Sequence, residues 1–299
     1  MIDRRNLLQI SVASLASLGL ATPARADGRF ASGDVTIFYR SFGKPGKTPL
    51  ILMHGANYFD SFDWIPVAEK LATDREVVCL DMRGFGESTW SPSKNYSVDA
   101  MMGDIHALIA HLGWRKPILL GHSFSGRLAV SFAAHDPDAI SKLIVVDSAF
   151  GREEPGPKGI GNPPVIFPSV EAAMERFGKL ANPPRISKDR ARAEQALTKV
   201  AEGFRLKRDP DYSNAAPIGS AVDTRPRREL NVWEELPKVK APMYFVRGLK
   251  SDRFTPEVLA RLNKDYPDIT WASADSMHDI AFYATDALIT AVRSFIAPS

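Results

Sequence analysis

The chain holds one cysteine, Cys79, among 299 residues, which excludes an intramolecular disulfide. Cys79 lies inside the apolar run EVVCLD, where a small core side chain is expected rather than a reactive thiol. An excess of one charge is also missing. The formal net charge is +3, too little for the basic face that nucleic-acid binding requires. No sequence period of 20–50 residues recurs, which excludes a repeat array. No metal-ligand cluster, phosphate loop or dinucleotide fingerprint is present, so no metal or cofactor is implied. No apolar run is long enough to span a bilayer comfortably. What is there is 44% hydrophobic residues, enough for the core of one large α/β domain or two smaller ones.

The N-terminus reads separately. Residues 1–26 have a charged start, a mild apolar stretch over residues 7–20, and Ala24-Arg25-Ala26 as a small-x-small cleavage site. That layout is a secretory signal peptide, and Arg4-Arg5 followed by Asn-Leu-Leu resembles a twin-arginine export signal. Cleavage after Ala26 removes three arginines and one aspartate, which takes the formal charge from +3 to +1. The expectation is a periplasmic or secreted bacterial protein. It would meet the export machinery, act on a small molecule, bind no nucleic acid and keep no stable membrane insertion after cleavage.

Beyond residue 26, short β-rich runs alternate with helical patterns. DVTIFYR (residues 34–40) alternates like an edge strand; PLILM, EVVCLD, PILLG, KLIVVD, PMYFVRG and DITWAS read as further strands. Helical spacing covers residues 62–72, a segment opened by Ser97, residues 124–134, a segment opened by Thr255-Pro256, and residues 279–295. Continuous apolar strands between helices predict a mostly parallel sheet covered on both faces. Between residues 148 and 236 the strand runs vanish and helical pieces such as SVEAAMERFGKLA and DRARAEQALTKVAEGF take over. The expected organisation is a core of residues 27–147 and 237–299, with residues 148–236 inserted as a helical cap.

The stretch GHSFSG (residues 121–126) joins a strand to a helix. A serine on so sharp a bend needs small residues two before and two after it. Ser123 has Gly121 and Ser125 in those places, whereas Ser125 would have Ser123 and Arg127, and arginine does not fit. Ser123 is therefore the candidate nucleophile. A serine hydroxyl needs a base. Of six histidines, His106 and His111 precede the nucleophile strand on a helix, and His135 ends the next helix, where a cation suits the dipole. His54 belongs to the HGAN turn, and His122 points the other way off the strand end. His278, in the loop between the last strand and last helix, sits at the sheet edge where open α/β folds place their sites. Asp252, just past the strand PMYFVRG, is the expected orienting carboxylate, with Asp147 at the tip of KLIVVD as the runner-up. An oxyanion needs preorganised donors, and the backbone N–H groups of Ala56 and Phe124 are the expected pair. Asn57, Tyr58, His122, Phe150 and Trp233 are candidate substrate-binding residues.

The motifs LMHGAN, LDMRGFGES, GHSFSG, VRGLKSD and MHDI resemble, in order, those of capped α/β-hydrolases across nearly the whole chain after residue 26. The resemblance implies the α/β-hydrolase fold, an eight-stranded-type sheet, and structural roles for Asp81 and Arg83. Relatives with an aspartate nucleophile, such as haloalkane dehalogenases and epoxide hydrolases, would need a carboxylate at position 123. The expected activity is hydrolysis of a carboxylic ester or lactone of a small, hydrophobic molecule through an acyl-enzyme. The alternatives are a C–C hydrolase of vinylogous diketones, an aminopeptidase or amidase, and a non-hydrolytic ligand-binding receptor that keeps the triad. The cap segment 151–230 carries a local charge of +4, from 15 Lys/Arg against 11 Asp/Glu. Phe150, Phe167, Phe177, Phe204, Tyr212 and Trp233 are the aromatics available to line an apolar pocket.

Overall fold

The computed structural model describes residues 25–151, 166–212 and 230–297. Residues 1–24 of the expected signal segment lie outside them. In chain order the first half comprises β1 (Arg25–Ser32), β2 (Val35–Phe42), β3 (Lys47–Met53), α1 (Ile65–Leu71), β4 (Arg75–Leu80), α2 (Val98–His111), β5 (Ile118–His122), α3 (Phe124–His135) and β6 (Lys142–Val146). The cap segment holds α4 (Val170–Gly178), α5 (Arg190–Ala196), and the hairpin β7 (Leu197–Val200) and β8 (Gly203–Leu206), and ends in α6 (Val232–Glu235). The core resumes with β9 (Met243–Gly248), α7 (Pro256–Asp265), β10 (Thr270–Ala274), α8 (Ile280–Tyr283) and α9 (Thr285–Ile296).

Eight strands form one sheet in the order β1-β2-β4-β3-β5-β6-β9-β10. β1 and β2 run antiparallel to their neighbours, and the remaining pairs are parallel. Successive residues of each central strand feed opposite cores, as the two-residue period of a strand dictates. Ile51, Met53, Leu119, Leu143 and Val145 pack with Met101, Ile105, Leu128 and Phe132 on one face. Leu50, Leu52, Ile118, Leu120, Ile144 and Val146 pack with Val67, Leu71, Leu288 and Val292 on the other. Both faces being covered explains why these strands read as unbroken apolar runs. Ser97 and Thr255 cap α2 and α7, their hydroxyls accepting the N–H groups of Ala100 and Val258.

Three expectations are corrected: the edge strand, the purely helical cap and the unbroken last helix. The strand beginning at residue 34 is not at the sheet edge, because β1 pairs along its whole length, Asp27 with Arg40 and Phe30 with Ile37. A cut after Ala26 would fall within β1, whose first pairs are Arg25 with Phe42 and Ala26 with Ser41. The cap is not purely helical: the helix expected across residues 189–204 ends at Ala196 and turns into the β7–β8 hairpin. Gly203, at φ 140°, makes that turn possible, and a Cβ there would lie 2.3 Å from the Phe167 carbonyl oxygen. The last helix is broken at Ala284, which leaves helical geometry at φ −143°.

The cap has its own core, in which Phe167, Val170, Phe177, Ile186, Leu197 and Leu206 close on Tyr58 and Phe59 of the loop after β3. Arg192 of α5, fully buried, donates to both carboxylate oxygens of Asp63 at 2.7 and 2.8 Å and to the Tyr58 carbonyl at 3.0 Å. Asp81 and Arg83 have structural roles. Asp81 accepts the N–H groups of Ser61 (2.6 Å) and Glu87 (2.8 Å), and Arg83 forks onto Asp104 with two 2.7 Å bonds. Cys79 is buried in the core between β4 and its helices.

Candidate active site

The turn between β5 and α3 puts Ser123 at φ 56°, ψ −121°, a conformation that L-residues avoid unless the surroundings impose it. Its N–H is held by the Val146 carbonyl at 2.9 Å. The steric requirement on its flanks is visible. A Cβ on Gly121 would lie 2.1 Å from the Ser125 carbonyl oxygen, and one on Gly126 would lie 2.9 Å from the Ser148 Cβ. Ser125 is fully buried, and its hydroxyl donates to the His54 carbonyl at 2.6 Å, tying the elbow to the end of β3.

His278 Nε2 lies 2.9 Å from Ser123 Oγ, and its Nδ1 lies 2.7 Å from Asp147 Oδ2. A carboxylate facing Nδ1 fixes the proton there and leaves Nε2 as the acceptor for the serine hydroxyl. The His122 ring donates from Nε2 to the His278 carbonyl at 3.0 Å, and the His278 N–H donates to Asn182 Oδ1 at 3.3 Å, so the loop carrying the base is held from two sides. Burial, reinforced by the Arg253 charge, holds the His278 imidazole below its ordinary range, so it rests as a neutral base. Burial pushes the Asp147 carboxyl up, while the Ser251 hydroxyl and the Gly248 N–H oppose that by bonding its charged form.

The carboxylate that faces His278 is therefore Asp147 and not the expected Asp252. Asp147 ends β6 at φ 44°, fully buried, accepting the Gly248 N–H at 2.9 Å and the Ser251 hydroxyl. Asp252 sits beyond the turn at residues 249–251 with its side chain 39% exposed, where it accepts from Asn182 at 3.0 Å and pairs with Arg253 at 3.3 Å. That turn brings Ser251, rather than Asp252, to the relay.

The other histidines are accounted for. His54 is fully buried, donating from Nδ1 to the Gly55 carbonyl at 2.6 Å and accepting the Met82 N–H at 3.0 Å on Nε2. His106 meets Asp136 at 3.7 Å, His111 stacks on Phe30, and His135 bonds the Ser131 carbonyl at the end of α3.

Ser123 and His278 open on a cavity of about 230 Å³ that Ala56 and Phe124 also line. Phe124 is the first residue of α3, where a backbone N–H has no acceptor within the helix. Asn57 and Tyr58 are in the wall as expected, Asn57 at φ 71° with its Oδ1 accepting from Arg208 at 3.0 Å. His122, Phe150 and Trp233 are not. His122 is buried behind the relay, with its ring centroid 4.6 Å from that of His278. Phe150 is turned into the core, its ring 5.1 Å from Phe254 and 4.8 Å from Trp233, and Trp233 is covered by Arg261 at 4.0 Å. Burying large aromatic area in the core outweighs leaving it beside a wet cavity. The cap aromatics Phe167, Phe177 and Phe204 pack in or against the cap core, and Tyr212 packs on Phe85. The residues that sequence reasoning missed are Phe59, Arg127, Ala149 and Arg253 of the wall. Arg127 lies in the first turn of α3, directly after the elbow that carries Ser123. Among the described residues no group of His, Cys, Asp and Glu is placed to hold a metal ion, and no helix is long and apolar enough to cross a membrane.

An eight-stranded, mostly parallel sheet with a serine on the strand–helix elbow, a histidine on the last loop and an acid at a strand tip defines a class of hydrolases. The family described as alpha/beta hydrolase fold matches residues 48–284, and the chain belongs to it. It is similar to N-formylmaleamate deformylase of Pseudomonas putida, 28% identical over 91% of this chain and 96% of that protein. A Haemophilus influenzae protein named "Putative esterase/lipase" is 27% identical over 84% of each chain. Among solved structures, E-2-(acetamidomethylene)succinate hydrolase superposes with a TM-score of 0.74 at 22% identity, over 92% of this chain and 100% of that one. That likeness shows the shared fold. Against the curated relatives named epoxide hydrolase 4, from mouse and human, the match spans 33% of the relative's length.

Proposed function

We propose that this hydrolase cleaves a carboxylic ester of a small molecule through an acyl-enzyme on Ser123. The observation that carries the reading is the unbroken relay Ser123–His278–Asp147, opening on a cavity with Ala56 and Phe124 in its wall. Ser123 Oγ attacks the carbonyl carbon as His278 Nε2 takes its proton, and Asp147 stabilises the imidazolium. The N–H groups of Ala56 and Phe124 receive the oxyanion. His278 then protonates the departing alcohol, and a water activated by the same imidazole releases the acid. Serine at position 123 argues against the carboxylate-nucleophile chemistry of epoxide opening.

A second reading, cleavage of an N-acyl amide by the same steps, is favoured by the near full-length similarity to a deformylase. The test is a panel of short esters, lactones, N-formyl and N-acetyl amides and a vinylogous diketone. Fluorophosphonate labelling of the native protein and of Ser123→Ala accompanies it. Ester or lactone turnover falling ~10⁵–10⁶-fold in Ser123→Ala is expected, and turnover of the diketone alone would overturn the reading. Export directed by residues 1–26 through a twin-arginine signal is a separate proposal, and unchanged export of an Arg4→Lys/Arg5→Lys variant would sink the twin-arginine reading.

A further inference from the structure

We propose that the cavity beside Ser123 binds a carboxylate of its substrate, with Arg253 as the principal anchor and Arg127 as the second. The substrate class is then a small acyl compound carrying an additional anionic carboxyl group. The proposal rests on the acyl-hydrolase reading of Ser123 and narrows it.

Two arginines, Arg127 and Arg253, line the wall, and no aspartate or glutamate lines it. The two arginines come from different elements, Arg127 from α3 and Arg253 from the loop after β9, and the nucleophile opens on the same cavity. The Arg253 side chain is 14% exposed, yet its Nε is buried with no hydrogen-bond partner among the described residues. The contact that Nε does make is an ion pair with Asp252 Oδ1 at 3.3 Å, and the same oxygen accepts from Asn182 at 3.0 Å. A guanidinium is a rigid fork of donors matched to a carboxylate, and one held at a cavity wall with unused N–H groups is completed by an anionic ligand. Asn57 points the same way. Arg208 occupies its Oδ1, which leaves its amide N–H₂ as the end free to donate. At about 230 Å³ the cavity is smaller than the roughly 300–1,000 Å³ of common ligand sites, which suits a short acid better than a long acyl chain.

The charge also bears on the chemistry. Arg253 is close enough to His278 and Asp147 to oppose protonation of both. Transfer of the serine proton to His278 must make an imidazolium beside that cation. Asp252 offsets part of that repulsion, and a substrate carboxylate on Arg253 offsets more of it, which a neutral substrate does not. Discrimination therefore appears in kcat as well as in KM.

The experiment measures binding of glutarate and of its neutral diamide, glutaramide, to the Ser123→Ala protein at low and high salt, so that it needs no turnover. The expected result is at least tenfold tighter binding of glutarate. Adding Arg253→Gln is expected to weaken glutarate binding about 10–100-fold, the loss for a charge-assisted hydrogen-bonded pair, while Arg253→Lys recovers part. Arg127→Gln is expected to give a smaller loss. Where Arg253→Gln does not fold, the salt dependence of glutarate binding and the Arg127→Gln protein decide the matter. Equal affinity for diacid and diamide, or glutarate binding insensitive to salt or to the arginine substitutions, would overturn the proposal. Fluorophosphonate labelling of the native protein, read separately, reports on the acyl-hydrolase reading, so either can fail without the other.

Discussion

Replacing Asp147 by asparagine is the sharpest test of the relay, because the geometry dictates how it fails. The Gly248 N–H donates to Asp147 Oδ1 at 2.9 Å, and His278 Nδ1 meets Oδ2 at 2.7 Å. An asparagine here keeps its carbonyl oxygen toward Gly248 and turns its N–H₂ toward Nδ1. The Ser251 hydroxyl, which donates to Oδ2 in the native protein, can rotate to accept. The amide then donates to Nδ1 and drives the imidazole proton to Nε2, where it faces the serine it should deprotonate. Loss of the correct tautomer costs ~10⁴ in kcat in a comparable relay, or about 5.4 kcal/mol of barrier. Asp252→Asn touches only a half-exposed pair, worth ~0.2–1 kcal/mol, and is expected to change kcat by less than about fivefold. The assay is hydrolysis of a short p-nitrophenyl ester alongside thermal melts. Asp147→Asn removes a buried carboxyl whose ionisation burial already opposes, so its Tm should stay within a few degrees of native. A fall of ~10⁴ in Asp252→Asn, with Asp147→Asn near native, would refute the assignment.

Ser125→Ala removes the 2.6 Å bond to the buried His54 carbonyl and should lower stability by about 1–3 kcal/mol, read by urea melts; an unchanged midpoint would mean that the hydroxyl is only a small spacer. Arg192→Ala leaves Asp63 and Asp60 buried without their counter-charge and should cost about 3–5 kcal/mol, which calorimetry would register as a Tm lower by roughly 10 °C. The pH profile of kcat/KM follows from His278. The active form is the neutral imidazole, so activity is lost as pH falls through its pKa. Because burial lowers that pKa from 6.5, the acid limb should lie below 6.5, and a midpoint above 7 would contradict the buried, Arg253-facing geometry.

The parallel core strands were legible because both their faces are buried, which writes continuous apolar runs into the sequence. The elbow was legible because its constraint is local: Gly121 and Ser125 must be small to let two stretches of backbone touch. Choosing between Asp147 and Asp252 was not local. Both follow a strand at the same sheet edge, and the choice rests on a left-handed backbone at Asp147 and a turn that carries Asp252 past the histidine. The hairpin after Ala196 was hidden for a similar reason. Alanine, glutamate and leucine at helical spacing argue for a longer helix, and only the pairing of Gly203–Leu206 with Leu197–Val200 overrides that propensity. Phe150 and Trp233 show a further limit, since an aromatic near a predicted site fills a core as readily as a pocket.

The cap braces the loops on both sides of the site. Arg192 binds Asp63 and the Tyr58 carbonyl and pairs with Asp60 at 3.2 Å, which fixes the loop that starts at Ala56. Asn182 accepts the His278 N–H, and the Arg185 N–H donates to Asp279 at 2.9 Å, which fixes the loop that carries the base. A buried ion pair of this kind is weak evidence for stability, because desolvating both charges offsets most of their attraction. Its directional bonds, however, leave few alternative placements for the loops they join. The proposed oxyanion donor Ala56 and the His278 imidazole come from segments more than two hundred residues apart, and the distance between them must hold to a fraction of an ångström for the serine to react. One cap contacting both segments supplies that constraint, which accounts for charged side chains in a place where apolar packing would have served stability as well.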